Sequence, residues 1–288
     1  GAVTDSGTLA ITGATTISAS GQDITLDEAA STFGTLALTG ANVAVTDAGA
    51  TDLGASTVSG TLGITSGGAV TDSGTLAITG ATTISASGQD ITLDEAASTF
   101  GTLALTGANV AVTDAGATDL GASTVSGTLG ITSAGAVTDS GTLAITGATT
   151  ISASGQDITL DEAASTFGTL ALTGANVAVT DAGATDLGAS TVSGTLGITS
   201  GGAVTDSGTL AITGATTISA SGQDITLDEA ASTFGTLALT GANVAVTDAG
   251  ATDLGASTVS GTLGITSAGA VTDSGTLAIT GATTISAS

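Results

Sequence analysis

Residues 34–66 read GTLALTG ANVAVT DAGATDL GASTVS GTLGITS, a run of segments each six or seven residues long. Aliphatic side chains recur in them at alternate positions: Leu36 and Leu38, Val43 and Val45, Leu62 and Ile64. Period-two alternation places each pair on one face of an extended strand. Gly, Ser, Asn or Asp falls between segments, where the chain must turn. Gly, Thr, Ser and Val are poor helix formers, and no apolar stripe of helical period runs through the stretch.

Working outward, the same grammar holds in GTLAITG, ATTISAS, GQDITLD, EAASTF and GGAVTDS, with Leu9/Ile11 and Ile24/Leu26 as further pairs. Ten such segments make one repeat unit, and GAVTDSGTLAITG restarts at Gly1, Gly68, Gly135, Gly202 and Gly269. The 288 residues therefore read as one continuous array: copies 1–67, 68–134, 135–201 and 202–268, and a partial copy 269–288. The copies differ at one place, where Gly67, Ala134, Gly201 and Ala268 alternate, so the larger unit is a pair of copies. Such identity implies recent duplication, homogenisation of a long natural array, or design by copying, and the alternation reads as drift or a copying relic.

Hairpins are disfavoured. Tight two-residue hairpins want Asn-Gly or Asp-Gly, and neither dipeptide occurs. One Phe per copy is also little for the core of a sandwich. The pattern fits an all-β parallel β-solenoid, in which each winding rises by one strand spacing and equivalent segments stack. Two readings of coil size remain. Two segments per coil give two sides and about 13.4 residues, with a rise of roughly 24 Å per copy. Three give three sides and about 20 residues, roughly 16 Å per copy, closure after three copies and a stack of Val3, Ile24, Val45, Ile64 and Ile84.

GTLAITG, and the run from GQDITLD through GTLALTGANVAVTDAGATDL to GGAVTDSG, resemble the repeats of filamentous-haemagglutinin-like adhesins of Gram-negative bacteria, many exported by two-partner secretion. The resemblance covers the whole chain. It implies a secreted right-handed β-helix with three-sided coils, which favours the second coil reading. It carries no adhesin activity onto any residue here, because no secretion domain or receptor-binding module is present in this sequence.

Composition narrows the chemistry. There are 25 acidic residues and no Lys, Arg or His, giving a net charge of −25, and there is no Cys, Met, Trp, Tyr or Pro. Acid–base and covalent catalysis are left with Asp, Glu, Ser and Thr. Without cations a nucleic-acid partner is not expected, anionic membranes should repel the chain, and no internal salt bridge can form. No apolar run reaches the length of a bilayer span, so no membrane insertion is expected. The hydrophobic fraction of 41% and mean hydropathy of +0.54 argue against a solvated coil.

Each copy carries six acids, in the first Asp5, Asp23, Asp27, Glu28, Asp47 and Asp52. Asp23, Asp27 and Glu28 form the densest group and are the candidate calcium ligands, since hard cations take several carboxylate oxygens. The competing reading is solvated corner residues that keep the chain soluble. Paired carboxylates also suit glycoside hydrolysis, but identical copies offer no unique cleft, and no enzyme activity or other cofactor is expected. Thr8/Thr12, Thr35/Thr39 and Thr61/Thr65 should project outward, as water-ordering ranks or simply as strand-favouring surface residues. With one Asn per copy (Asn42, Asn109, Asn176, Asn243) a continuous amide ladder cannot form, and Phe33, Phe100, Phe167 and Phe234 read as core or corner fillers.

The expected role is a structural segment of an extracellular or cell-surface bacterial fibre or giant adhesin stalk. Its expected partners are identical chains, end to end or laterally, and host or neighbouring cell-surface glycans. The alternatives are a binding module, for carbohydrate or for ice, and a designed repeat scaffold.

Overall fold

The computed structural model describes all residues 1–288. The chain divides into two compact units, Gly1–Gly147 and Ala148–Ser288. Each is an all-β parallel solenoid without helix, and the windings take about 19 residues each. That excludes the two-sided coil and agrees with three-sided windings.

In the first unit the chain alternates between two parallel sheets, one starting at Val3–Thr4 and the other at Thr15–Ser18. Strand interiors alternate buried and exposed residues as the period-two pattern requires. Ile24, Val43, Leu62, Thr82 and Leu103 form one inward column, and Leu26, Val45, Ile64, Ile84 and Leu105 the next. All are buried. Full burial of one such aliphatic contributes about 1.5–3 kcal/mol, and stacking repeats that gain at each winding. The expected stack was one column out of step beyond Ile24: Ile24 pairs with Val43, and Val45 with Leu26. Turn lengths vary, and counting from Val3 by a mean length drifts across columns.

The winding number is the main departure from expectation. From Val3 the first sheet steps to Ile24, Val43, Leu62, Thr82, Leu103, the strand Thr118–Leu120, and then Val137, seven windings over two copies. Its single-copy equivalent, Val70, lies in the other sheet, paired with Thr51 and Ile91. One copy is therefore three and a half windings, and the pattern closes after two copies rather than three. At about 4.8 Å per winding, a copy rises roughly 17 Å.

The cause is local. Most windings carry three segments, as from Val3 to Ile24 and from Leu62 to Thr82. At GTLALTG–ANVAVT two sides made of single segments follow each other, and the winding shortens, from Leu36 to Leu53 and from Leu103 to Leu120. There the long strand Thr35–Gly40 faces two short strands, Thr51–Leu53 and Ser56–Val58. Ser56 bridges the break: its Oγ accepts from Leu38 N–H at 2.9 Å and donates to Gly54 O at 2.8 Å.

The second unit repeats the scheme. Its two sheets start at Thr149–Ser152 and Ile158–Leu160, with the same steps, including the short one from Leu170 to Leu187. Thr149 and Thr283 belong to one sheet and Thr216, one copy from either, to the other.

Candidate functional site

The calcium candidates are split. Asp23 and Asp27 stand at opposite ends of Ile24–Leu26, and the extended chain between them holds them about 13 Å apart. Asp23 is occupied at an exposed corner, where its Oδ1 accepts from Asn42 N–H at 3.1 Å and Asn42 Nδ2 at 3.0 Å. Asp27 N–H instead donates to Asp5 Oδ1 at 3.2 Å, and Glu28 offers its main-chain carbonyl to Ser31 N–H. Asp23, Asp27 and Glu28 thus form no common cage, and nowhere do three acidic side chains gather in a metal-holding group.

The Asn corner ties three windings together. Thr61 N–H and Oγ1 donate to Asn42 Oδ1 at 3.1 and 3.2 Å, completing a chain Asp23–Asn42–Thr61. Asp90, Asn109 and Thr128 repeat it. A continuous Asn ladder is absent, as expected, but one Asn per copy suffices for a mixed rung. Gly60, just before Thr61, has to lack a side chain, because a Cβ there would overlap Asn42 Oδ1.

The buried acids are what the sequence reading missed. Asp47, Asp114, Asp181 and Asp248 are each 1% exposed, not solvated. Asp114 Oδ1 accepts from Gly116 N–H at 2.8 Å, and its Oδ2 lies 3.2 Å from Thr118 Oγ1. Phe100 N–H from the winding below also donates to this carboxyl. Thr118 Oγ1 lies 3.0 Å from Ser133 Oγ, which reaches the carbonyls of Gly116 and Gly135 at 3.1 and 3.0 Å. Burial pushes the carboxyls of Asp114 and Asp181 above the ordinary Asp value, against these hydrogen bonds. The signal was available: Val43, Val45 and Asp47 share one parity, so an inward Val column carries its Asp inward too.

A second type of corner is formed by Asp72, whose Oδ1 accepts from Asp94 N–H at 2.9 Å and whose Oδ2 accepts from Glu95 N–H at 3.4 Å. Desolvation raises the Asp72 carboxyl, and the neighbouring Asp94 and Glu95 charges add to the rise. Asp253 behaves oppositely: hydroxyls of Ser274, Thr236 and Thr272 on the exposed face hold it below the ordinary value.

The outward residues behave as read. Thr8, Thr12, Thr61 and Thr65 are exposed and Thr35 and Thr39 half-buried, while the four Phe are buried fillers. Stacking aligns hydroxyls that are far apart in sequence: Thr46, Thr65, Ser85, Thr106 and Thr124 form five successive rungs of one outward column. Ala144 ends it, and Ala44, Gly63 and Ala104 lie in the next outward column.

No curated protein and no solved structure matches the chain significantly. A family model described as "Repeats of unknown function (DUF5649)" matches residues 1–39, 40–106, 107–173, 174–240 and 241–288. Its boundaries recur once per copy and fall just before the last Gly of GTLALTG, one residue ahead of ANVAVT, where the short winding occurs. These matches span the whole sequence, and the chain belongs to this family of repeats.

Proposed function

We propose that this chain is a structural repeat segment of an extracellular bacterial fibre or giant adhesin stalk, of the filamentous-haemagglutinin-like kind, with no catalytic role. The observation that carries this reading is the winding itself. Each copy adds three and a half windings with the same inward residues and the same corners, so added copies supply length and no new chemistry. Half-integral winding also presents every segment alternately on the two sheets, so neighbours on either side meet the same set of residues. Identical chains and cell-surface glycans are the partners this suits, and divalent cations act as diffuse counterions to the −25 charge rather than as resident ligands.

The test is immuno-electron microscopy with antibody to the repeat on source cells, alongside protease shaving. Label on surface filaments that shaving removes is the expected result. Label confined to the cytoplasm overturns the proposal.

One observation favours a second reading. The five-rung hydroxyl column from Thr46 to Thr124 is the kind of outward rank a water- or sugar-binding face would use. Thermal hysteresis or retention on a glycan array would move the assignment to a binding module.

A further inference from the structure

Asp114 and Asp181 are buried carboxyl groups in a chain that has no cation to pair with them. Their neighbours are neutral. For Asp114 these are Gly116 and Phe100 N–H, then Thr118, then Ser133 on the adjacent strand Leu129–Ser133. Of the acids on surrounding elements, Asp94 and Glu95, after Ile91–Leu93, give their main-chain N–H groups to Asp72, and the Asp119 carboxylate faces outward to Thr102 and Ser140. Asp181 has the same frame in Gly183, Phe167, Thr185 and Ser200, with Asp186 turned outward to Thr169 and Ser207. On the preceding segment Asp161 and Glu162 follow Ile158–Leu160, as Asp94 and Glu95 follow Ile91–Leu93.

The order of donors and acceptors in this frame is informative. Ser133 Oγ ends on two main-chain carbonyls, which only accept, so its proton points to Gly116 or Gly135. Thr118, between Asp114 and Ser133, has one proton and two places to send it. With Asp114 ionised, Thr118 donates to the carboxylate. With Asp114 protonated, the acid O–H donates to Thr118 Oγ1, and Thr118 donates to Ser133 Oγ. Every group is satisfied either way, and the two states differ by one proton taken up from solvent and one hydroxyl rotation. Thr185 and Ser200 offer the same choice to Asp181, with the carbonyls of Gly183 and Gly202 as terminal acceptors.

We propose that the Asp114 and Asp181 corners are reversible proton-binding sites, each relayed through Thr and Ser to main-chain carbonyls, which tighten the winding as the surroundings acidify. The raised carboxyls fix the sign. A group whose folded-state value lies above its unfolded one contributes stability that is fully present below the unfolded value and is lost as pH rises through the folded value. Acidification from neutrality therefore stabilises these corners, and neutral pH strains them.

Relief of the overall negative charge would also stabilise the chain in acid, so the test separates the two effects. Full-length protein is melted from about pH 7 to about pH 4.5 in about 1 M NaCl, which shortens the screening length to about 3 Å. Asp114→Asn with Asp181→Asn imitates the protonated acids, and Asp119→Asn with Asp186→Asn removes two outward-facing, half-buried charges as a control. The expected wild-type midpoint climbs by several degrees on acidification. The buried pair of variants should lose the share of that climb that these two corners supply, while Asp72 and Asp206 keep theirs, and should melt no lower than wild type at neutral pH; the control keeps the whole climb. An unchanged pH profile in the buried variants, or a lower neutral midpoint, overturns the proposal. If those variants do not fold, a 13C carboxyl titration of the wild type decides. Resonances assigned to Asp114 and Asp181 that titrate above the usual value of about 3.9 support the proposal, and their absence sinks it.

Discussion

Two corners of the first unit use the same side chain to opposite ends. At the Asp90–Asn109–Thr128 corner the carboxylate sits in water and accepts from Asn109 at 3.1 and 2.9 Å. At the Asp114–Thr118–Ser133 corner it sits in the interior and accepts from one main-chain N–H on its own turn and another from the winding below. Each corner links successive windings through side chains rather than through the strand ladder. The exposed one exchanges water contacts for protein contacts and gains little, because water competes for every partner. The buried one has no water to fall back on, so each partner depends on the others. Position on the pleat, not residue type, decides how much an Asp matters here.

The largest expected effect follows from that difference. Asp114→Ala strands Gly116 N–H, Phe100 N–H and the Thr118 hydroxyl in the interior, and should cost about 3 kcal/mol. Asn109→Ala removes exposed bonds and should cost about 0.5–1 kcal/mol. Because stability in a solenoid is distributed along its windings, native-state hydrogen exchange at Ile131 and Val125 is a better measure than a global melt. Equal losses of protection in the two variants would erase the distinction between the corners.

How much of this could be read beforehand depends on the range of the interaction. Leu36/Leu38 and Val43/Val45 announce strands because alternation is a property of neighbours in sequence. The same parity placed Asp47 inward with Val43 and Val45, but an acid in a −25 chain was assumed to be solvated, since charge usually seeks water. The convergence of Asp47, Thr51 and Ser66 was out of reach, because it depends on the winding length between Thr51 and Ser66. That length is set at Thr35–Gly40, where one strand faces two, and segment counting cannot see it. Asp23, Asp27 and Glu28 looked like a cluster because they are close in sequence, yet an extended strand carries its two ends apart.

Threonine sharpens the comparison with a change of sign. Thr118 Oγ1 is indispensable to the buried corner, whereas Thr82 Oγ1 is equally buried and has no partner at all. Thr82 stands in an inward column between Leu62 and Leu103, where its parity with Ile84 and Ala86 obliges it to face the core. Thr82→Val keeps the shape, removes an unsatisfied hydroxyl and should stabilise that winding by about 1 kcal/mol. Thr118→Val should destabilise its corner. Matching signs for the two substitutions would mean that hydrogen bonding does not govern these positions.

The smallest expected effect concerns the one place where the copies differ. Gly67 follows Leu62–Ser66 in the first sheet, and Ala134 follows Leu129–Ser133 in the second, so the alternation marks opposite sheets within this unit. A Cβ placed on Gly67 as it stands would overlap the Ala48 carbonyl oxygen. Yet Ala134 occupies the equivalent corner with its N–H 2.9 Å from Asp114 O, against 2.8 Å for Gly67 N–H to Asp47 O. Both residues are exposed, so the corner has room to move outward by the small amount a methyl needs. Gly67→Ala should therefore change stability by no more than about 0.5 kcal/mol, read by denaturant unfolding of the full chain. A loss well beyond that would show that the two sheets are not interchangeable, and that the two-copy period is selected by the packing of one edge rather than inherited from copying.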